Sequence, residues 1–512
     1  MPTHFVRQTR PSRNRLLFLL PLIALAGLAI LRLPFRASAQ DSRGFVIVGA
    51  DVADGSGTPL VRANVRILGD RIARVGKFPP DAGEAVVDGK GLVLAPGFID
   101  THNHSDRNLE SNRLAESQIS QGLTTLLLGQ DGSSSWPVGE WLDKFRKDPP
   151  ALNLLTLVGH ATVRRRVMGT DFRRAARPDE ITQMTQLVEQ GMREGAVGLS
   201  SGLEYEVGSY STTAEVVATA RVAGRYGGFY ISHIRDEADL SVQAIQELLE
   251  IGRQGGLPVQ NTHIKLGTVS VWSRAAEIAA LFDAARHTGQ DVTADCYPYD
   301  AWHSNFKVLV PNKQYEDPAS VSKAIADVGG PQNLLISSHR PHPEYAGRTL
   351  EEIAKQKGIT PTALLIQIIR DGDGSVIGKA MTEEDMRTFF AQPWVMVSSD
   401  GGGGMKHPRS TGTYPRVLGR LVREWHWLTL PEAVRRMTSL PASRLKLADR
   451  GLVREKMVAD LVLFNPRTVI DRSTFAEPEK LSEGIEKVYV SGALVWDRDH
   501  ATGARPGRVL PK

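Results

Sequence analysis

The sequence predicts an α/β fold: a (β/α)8 barrel with a small composite β-sandwich domain made from both chain ends, and an insertion between barrel strands 7 and 8. Three observations predict it. Short apolar runs alternate with helix-patterned segments through the middle of the chain. Both ends read as short β segments with turn punctuation. Histidines and carboxylates follow the apolar runs, where a barrel gathers its active site. The 512 residues are 41% hydrophobic and 23% charged, a balance that excludes disordered and collagen-like classes.

The leader comes first. Residues 1–15 are polar with four arginines, Leu16–Leu31 is apolar apart from Pro21 and Gly27, and Ala37-Ser38-Ala39 forms an A-x-A site before Gln40. This is the pattern of a secretory signal over residues 1–39. The mature protein is therefore expected in the periplasm or outside the cell. The apolar run is shorter than the roughly 20 residues that span a bilayer, so an uncleaved leader is the one membrane contact to expect. The net charge of +5 belongs to this segment. It holds Arg7, Arg10, Arg13, Arg15, Arg32 and Arg36 and no acid, and without those six the 62 basic residues fall one short of the 57 acidic ones. Nothing in the body then calls for a nucleic-acid partner. Cys296 is the one cysteine, which excludes an intramolecular disulfide.

The ends, residues 40–95 and 446–512, carry β segments such as 45–48, 63–68, 71–75, 459–464 and 487–492, and are expected to pair into one small domain. The barrel is expected over 96–445. Its strands are read at 92–99, 124–128, 154–158, 196–200, 228–232, 257–262, 291–294 and 394–399, with helices between them such as 178–194, 213–226, 240–254 and 274–287. About 95 residues separate the last two strands. Helical stretches at 318–328, 349–371 and 382–391 mark them as an inserted subdomain, about 303–390, that could overhang the site.

The strand ends carry the chemistry. His102 and His104 follow strand 1, and in an extended segment they point to the same side, as two ligands of one metal do. Asp131 follows strand 2, Glu204 and Tyr205 follow strand 4, His233 ends strand 5, His263 ends strand 6 and Asp400 ends strand 8. A lone histidine at a strand end is usually structural, but four at the same end of a barrel point to a divalent metal. The glycines after Asp400 lack the Lys-Ser/Thr ending of a phosphate loop.

These blocks resemble the amidohydrolase superfamily and, within it, the D-aminoacylases (N-acyl-D-amino-acid deacylases), over about residues 44–508. The carriers are Pro-Gly-Phe-Ile-Asp-Thr-His-Asn-His at 96–104, Gly-Leu-Ser-Ser-Gly-Leu-Glu-Tyr at 198–205, Ser-His-Ile-Arg at 232–235, Thr-His-Ile-Lys at 262–265, Asp-Cys-Tyr-Pro-Tyr at 295–299, Ser-Ser-Asp-Gly at 398–401 and His-Pro-Arg at 407–409. The resemblance implies one or two divalent metal ions per chain, zinc being the expected one. By match, His102, His104, His233, His263 and Asp400 form the metal site. Glu204 stands where relatives use a carboxylated lysine. Tyr205, Lys265 and Arg409 match residues that hold the substrate carboxylate. The family's Gly-Asn-Cys-Gly after strand 2 is here Gly-Gln-Asp-Gly, so Asp131 replaces a thiolate with a harder oxygen donor. The short 401–406 segment before His407 is a second departure, which bears on where Arg409 falls.

The resemblance implies hydrolysis of the amide bond of N-acyl-D-amino acids, or of D-residue dipeptides, by a metal-activated water. Asp400 would be the catalytic acid–base, taking a proton from the water and handing it to the departing nitrogen. Lys265 and Arg409 would pair the free carboxylate of this small-molecule substrate. Two alternatives remain open: another carbon–nitrogen bond, such as a cyclic amide or an L-dipeptide, and a non-catalytic envelope binding protein.

Overall fold

The computed structural model describes residues 44–372 and 374–511, and the leader expected over 1–39 lies outside them. Eight parallel strands form the central barrel in chain order: β1 Phe98–Asp100, β2 Leu123–Leu128, β3 Asn153–Thr156 continued by Val158–Gly159, β4 Gly198–Gly202, β5 Phe229–His233, β6 Val259–Asn261, β7 Val292–Cys296 and β8 Val395–Val397. β1 pairs with β2 and β2 with the first part of β3. The second part of β3 leads on through β4, β5, β6 and β7 to β8. All six residues of β2 are buried, as expected of a strand covered on both faces.

One expected strand divides. The apolar run 92–99 breaks at Gly97: Val93–Pro96 joins the sheet of the chain ends, and Phe98–Asp100 enters the barrel. Periodicity could not separate the two, because both halves are buried. Gly97 is required there, since a Cβ would stand 2.3 Å from Thr124.

The join between β8 and β1 is made just beyond the two strands, by side chains and by backbone bonds. Asp100 is fully buried and accepts the Ser399 N–H (3.1 Å) and the Ser399 hydroxyl from across the join. From the segment just beyond its own strand it accepts the His102 N–H (3.2 Å) and Asn103 Nδ2–H (3.0 Å). Burial pushes its carboxyl above the usual range, and these hydrogen bonds oppose the push. Backbone bonds from Asp400 N to His102 O (3.0 Å) and from His104 N to Gly401 O (2.7 Å) continue the join to the mouth of the barrel.

The outer helices include Pro178–Arg193, Thr213–Arg225, Ser241–Gly255 and Ala275–His287. Local signals set their limits. Pro178 opens the first at N1, the Thr212 side chain caps the second by accepting Glu215 N–H, and Gly256, with φ 67°, ends the third.

The stretch between β7 and β8 builds its own subdomain. Strands Trp302–Ser304, Leu334–His339, Arg348–Thr349 and Gly374–Gly378 form a four-stranded sheet that the sequence reading lacked. The expected helix 349–371 is two helices, Leu350–Lys357 and Pro361–Asp371. Gly358 (φ 66°) stops the first, and Thr360 and Pro361 start the second. The chain ends meet in one nine-stranded sheet, where Val93–Pro96 pairs with Leu461–Phe464. Among the described residues, no helix is long and apolar enough to cross a membrane.

Asp100→Ala leaves the Ser399 and His102 N–H groups buried without partners, each worth about 1–3 kcal/mol. Chemical denaturation should show a stability loss of about 3 kcal/mol or more, with loss of bound metal in the folded fraction.

Candidate metal centre

Every strand end that carries a predicted ligand opens into the same mouth. His102 is wholly buried and His104 is 8% exposed, just beyond β1. Asp131 (φ 55°), His263 (φ 34°) and Asp400 (φ 45°) all lie in the left-handed region, which is rare for residues with a Cβ. Such conformations persist where the surroundings enforce them, and they gather at functional sites.

The side chains form three overlapping groups. The first is His102, His104, Asp131 and Asp400; the second, sharing Asp131, is Asp131, His233 and His263; the third, sharing His233, is Glu204, His233 and Glu237. In the first, His102 Nε2 and His104 Nε2 are 3.3 Å apart, and Asp400 Oδ1 lies 3.4 and 3.2 Å from them. Asp131 Oδ1 is 3.5 Å from His102 Nε2, and Asp131 Oδ2 is 3.5 Å from His104 Nε2. In the second, His233 Nδ1 lies 3.1 Å from His263 Nε2, with Asp131 Oδ1 3.9 Å from that Nε2. Asp131 Oδ1 is buried and makes no hydrogen bond. Imidazole nitrogens and carboxylate oxygens converging with an unpaired buried oxygen fit one or two divalent cations.

The electrostatics point the same way. Burial disfavours the ionised forms of Asp131 and Asp400, but their neighbours outweigh it. His102 and His104 hold Asp131, and Arg409, His102 and His263 hold Asp400, well below the usual carboxylate range. Burial likewise opposes charge on His102, yet Asp131 and Asp400 push it up to about 9. The carboxylates that draw a proton to His102 would draw a cation in the same way.

The other predicted residues fall around this cluster. Glu204, expected among the ligands, belongs to the third of these groups, its Oε2 lying 2.6 Å from His233 Nε2. Tyr205 packs against the His233 ring at 4.4 Å. Arg409 survives the short 401–406 segment. It is 1% exposed, its Nη2 is 2.9 Å from Asp400 Oδ2, and its Nε and Nη1 are buried without hydrogen-bond partners. Lys265 is not paired with Arg409 on one group. Its Nζ is held by Glu237 Oε2 at 2.6 Å, and the two cations line adjoining cavities that share Tyr205, His303 and Asp400.

Two acids went unassigned by the sequence reading. Asp295, inside the quoted 295–299 block, accepts the backbone N–H of His263 (2.8 Å) and Gln260 Nε2 (2.6 Å). Glu237, four residues beyond His233, lies 3.1 Å from His263 Nδ1. A carboxylate in the loop after a ligand-bearing strand was the available signal.

A parallel barrel with four histidines and several carboxylates at its C-terminal mouth defines a metal-dependent barrel hydrolase. The amidohydrolase family model matches residues 85–496. The chain is 36% identical to the D-aminoacylase of Alcaligenes xylosoxydans xylosoxydans, over 93% of this chain and 99% of that protein. It is 34% identical to the N-acyl-D-aspartate deacylase of the same organism, over 91% and 94%. The solved structure of an N-acyl-D-glutamate deacylase from Bordetella bronchiseptica, complexed with zinc and a phosphonate inhibitor that mimics the tetrahedral intermediate, superposes with a TM-score of 0.84. It is 33% identical, covering 92% of this chain and all of that one (100%). The chain belongs to the amidohydrolase family, in its D-aminoacylase branch.

Two outcomes follow from the site. Because His102 holds a proton up to about 9, zinc uptake by the stripped protein near neutral pH should release protons, and affinity should fall as pH drops. Titration calorimetry in buffers of different ionisation enthalpy reads the number released; zero contradicts the assignment. Asp131→Cys should retain metal and shift preference from manganese or cobalt toward zinc, which competition dialysis measures.

Proposed function

We propose that the protein is a metal-dependent deacylase that cleaves the amide bond of N-acyl-D-amino acids or D-residue dipeptides. The observation that carries this reading is Arg409: a buried guanidinium with two unpaired donors, bound through its third nitrogen to the carboxylate of Asp400. Arg409 also lines a cavity with His104, Asp131 and Asp400, where its guanidinium can pair a free carboxylate on the substrate; a cyclic amide brings none. The D configuration comes from the relatives.

His102, His104, Asp131, Glu204, His233, His263 and Asp400 would hold one or two divalent cations, zinc first, which would supply an acidified water and a Lewis acid at the carbonyl. Asp400 takes the proton of the attacking water and delivers it to the departing nitrogen. Arg409 holds the α-carboxylate and thereby sets the amide beside Asp400. Tyr205, on the wall of both cavities, narrows the space around the scissile bond. Burial of the whole set strengthens each of these interactions over its value in water.

The organisation is part of the proposal: a signal over 1–39, export to the periplasm or beyond, a barrel over 96–445, and a composite sandwich from 40–95 and 446–512. An apolar cluster holding Ile47, Val65 and Leu94 with Leu461, Leu463 and Tyr489 supports the last. An N-terminus at Gln40 on protein isolated from its host checks the export.

The test of function is a hydrolysis screen of N-acyl D- and L-amino acids and their amides, on stripped protein with single metals returned. Asp400→Asn should lower kcat by about 10²-fold or more. Arg409→Ala should depress kcat/KM for the acids far more than for the uncharged amides. Equal losses on acids and amides would refute carboxylate recognition.

A further inference from the structure

Arg409 opens the helix Arg409–Arg416, and the first N–H groups of a helix find no partner within it. The ring of His407 answers the one on Arg409. His407 is wholly buried, and its Nδ1 accepts the Arg409 N–H at 3.1 Å. A ring nitrogen that accepts from a backbone N–H carries no hydrogen, so the hydrogen of the neutral imidazole sits on Nε2. Nε2 donates it to the Ala301 carbonyl at 3.1 Å. Backbone groups thus satisfy both nitrogens and fix the tautomer. Burial, with the Arg409 charge nearby, holds the ring well below the ordinary histidine range and keeps it neutral.

Both partners bear on one guanidinium. Ala301 leads into the insertion's first strand, Trp302–Ser304, and the His303 carbonyl of that strand accepts from Arg409 Nη2 at 3.5 Å. The guanidinium also stands over the Tyr297 ring at 4.7 Å and meets Asp400 Oδ2 at 2.9 Å. One imidazole therefore ties down the backbone from which Arg409 grows and the strand that its guanidinium reaches. The ring has little room to turn. Tyr299 and Phe475 meet it edge-on, with centroids 5.7 and 5.3 Å away. His407 belongs to none of the three groups that could hold a metal.

We propose that His407 is a positioning residue for substrate recognition, holding Arg409 and the first strand of the insertion in one arrangement through its two ring nitrogens. This rests on the carboxylate-recognition reading above. Nδ1 sets where the Arg409 side chain starts, and Nε2 sets the strand against which its end lies. The unpaired Nε and Nη1 are then aimed before substrate arrives, so binding spends less on ordering them. A displaced guanidinium pairs a carboxylate less well, whereas an uncharged amide has no such pair to lose. The helix start has other ties. The Pro408 carbonyl accepts Gly412 N–H (3.0 Å) and the Ser473 hydroxyl (3.0 Å), which favours folding of His407 variants.

The two nitrogens can be replaced one at a time. Asparagine sets an amide oxygen near the place of Nδ1, and glutamine sets an amide nitrogen near that of Nε2. The experiment measures kcat and KM of the zinc-loaded protein for N-acetyl-D-leucine, N-acetyl-D-glutamate and their α-amides, with unfolding midpoints to identify variants that fold. His407→Gln leaves the Arg409 N–H without its acceptor. It should raise KM for the acids about 10-fold or more, with a smaller change in kcat and little change for the amides. His407→Asn, which keeps that acceptor, should restore most of the preference for acids. Should His407→Gln not fold, the contrast between His407→Asn and His407→Ala on the same ratio decides. In an Arg409→Ala background, His407→Gln should cost the acids nothing further, because the residue it acts through is gone. Equal losses on acids and amides, or the full loss persisting in the Arg409→Ala background, overturn the proposal and leave carboxylate recognition intact. If Arg409→Ala alone weakens acids and amides equally, carboxylate recognition falls and the role of His407 with it.

Discussion

A buried carboxylate laces the two ends of the barrel together, and the active site hangs on that join. Asp100 draws Ser399 from beyond β8 and His102 and Asn103 from beyond β1 onto one pair of oxygens. The first metal-binding group straddles this join, with His102 and His104 on one side and Asp400 on the other. A slip of one residue between β1 and β8 would turn alternate side chains away from the mouth. Asp295 does the same work one strand back, holding His263 N–H and Gln260 while also accepting the Ser398 hydroxyl. Burying two carboxylates is costly, and their hydrogen bonds offset the cost only where the geometry is complete. That condition makes the register specific.

The site itself concentrates charge where water is scarce. Asp131 and Asp400 are drawn among imidazoles and one guanidinium, and the ring of His102 is drawn toward protonation in return. Three of the residues proposed to hold the metal, Asp131, His263 and Asp400, sit at left-handed backbone positions. Neither feature stabilises a fold by itself. Both make sense where the barrel's core, with strands such as β2 buried along their length, is firm enough to hold a strained backbone for a cation. The large apolar interior carries the stability, and the mouth uses some of it.

Much of this was legible in the sequence, for identifiable reasons. The barrel strands show as apolar runs because both faces are covered, and the ligands show because barrel chemistry sits at strand ends. His102, His104, Asp131, His233, His263 and Asp400 all converge in space. What was illegible depended on contacts that spacing does not encode. Gly97 divides one apolar run between two sheets, which only the neighbouring Thr124 explains. Asp295 was visible as part of a motif and not as a brace. Glu237 carries no periodic signal. Glu204 and Lys265 were found as residues, but their partners, His233 Nε2 and Glu237, follow from how the loops after β4, β5 and β6 pack.

The division of labour between barrel and insertion follows from the same packing. Every proposed ligand and the proton carrier come from barrel strand ends, fixed by strand register. The cavity beside Lys265 takes its apolar wall from Trp302, Val308, Leu309, Pro311 and Val328, all within the stretch between β7 and β8. That stretch has its own sheet and its own apolar cluster around Phe306, Ile336 and Leu364. Its wall residues are therefore positioned by a core separate from the one that positions the ligands. Substitutions in the wall can reshape what enters without moving His102 or Asp400, because the two sets share a cavity and not a register. Strand ends fixed by the barrel and a cavity wall supplied by an insertion with its own apolar cluster let the wall change without disturbing the strand ends.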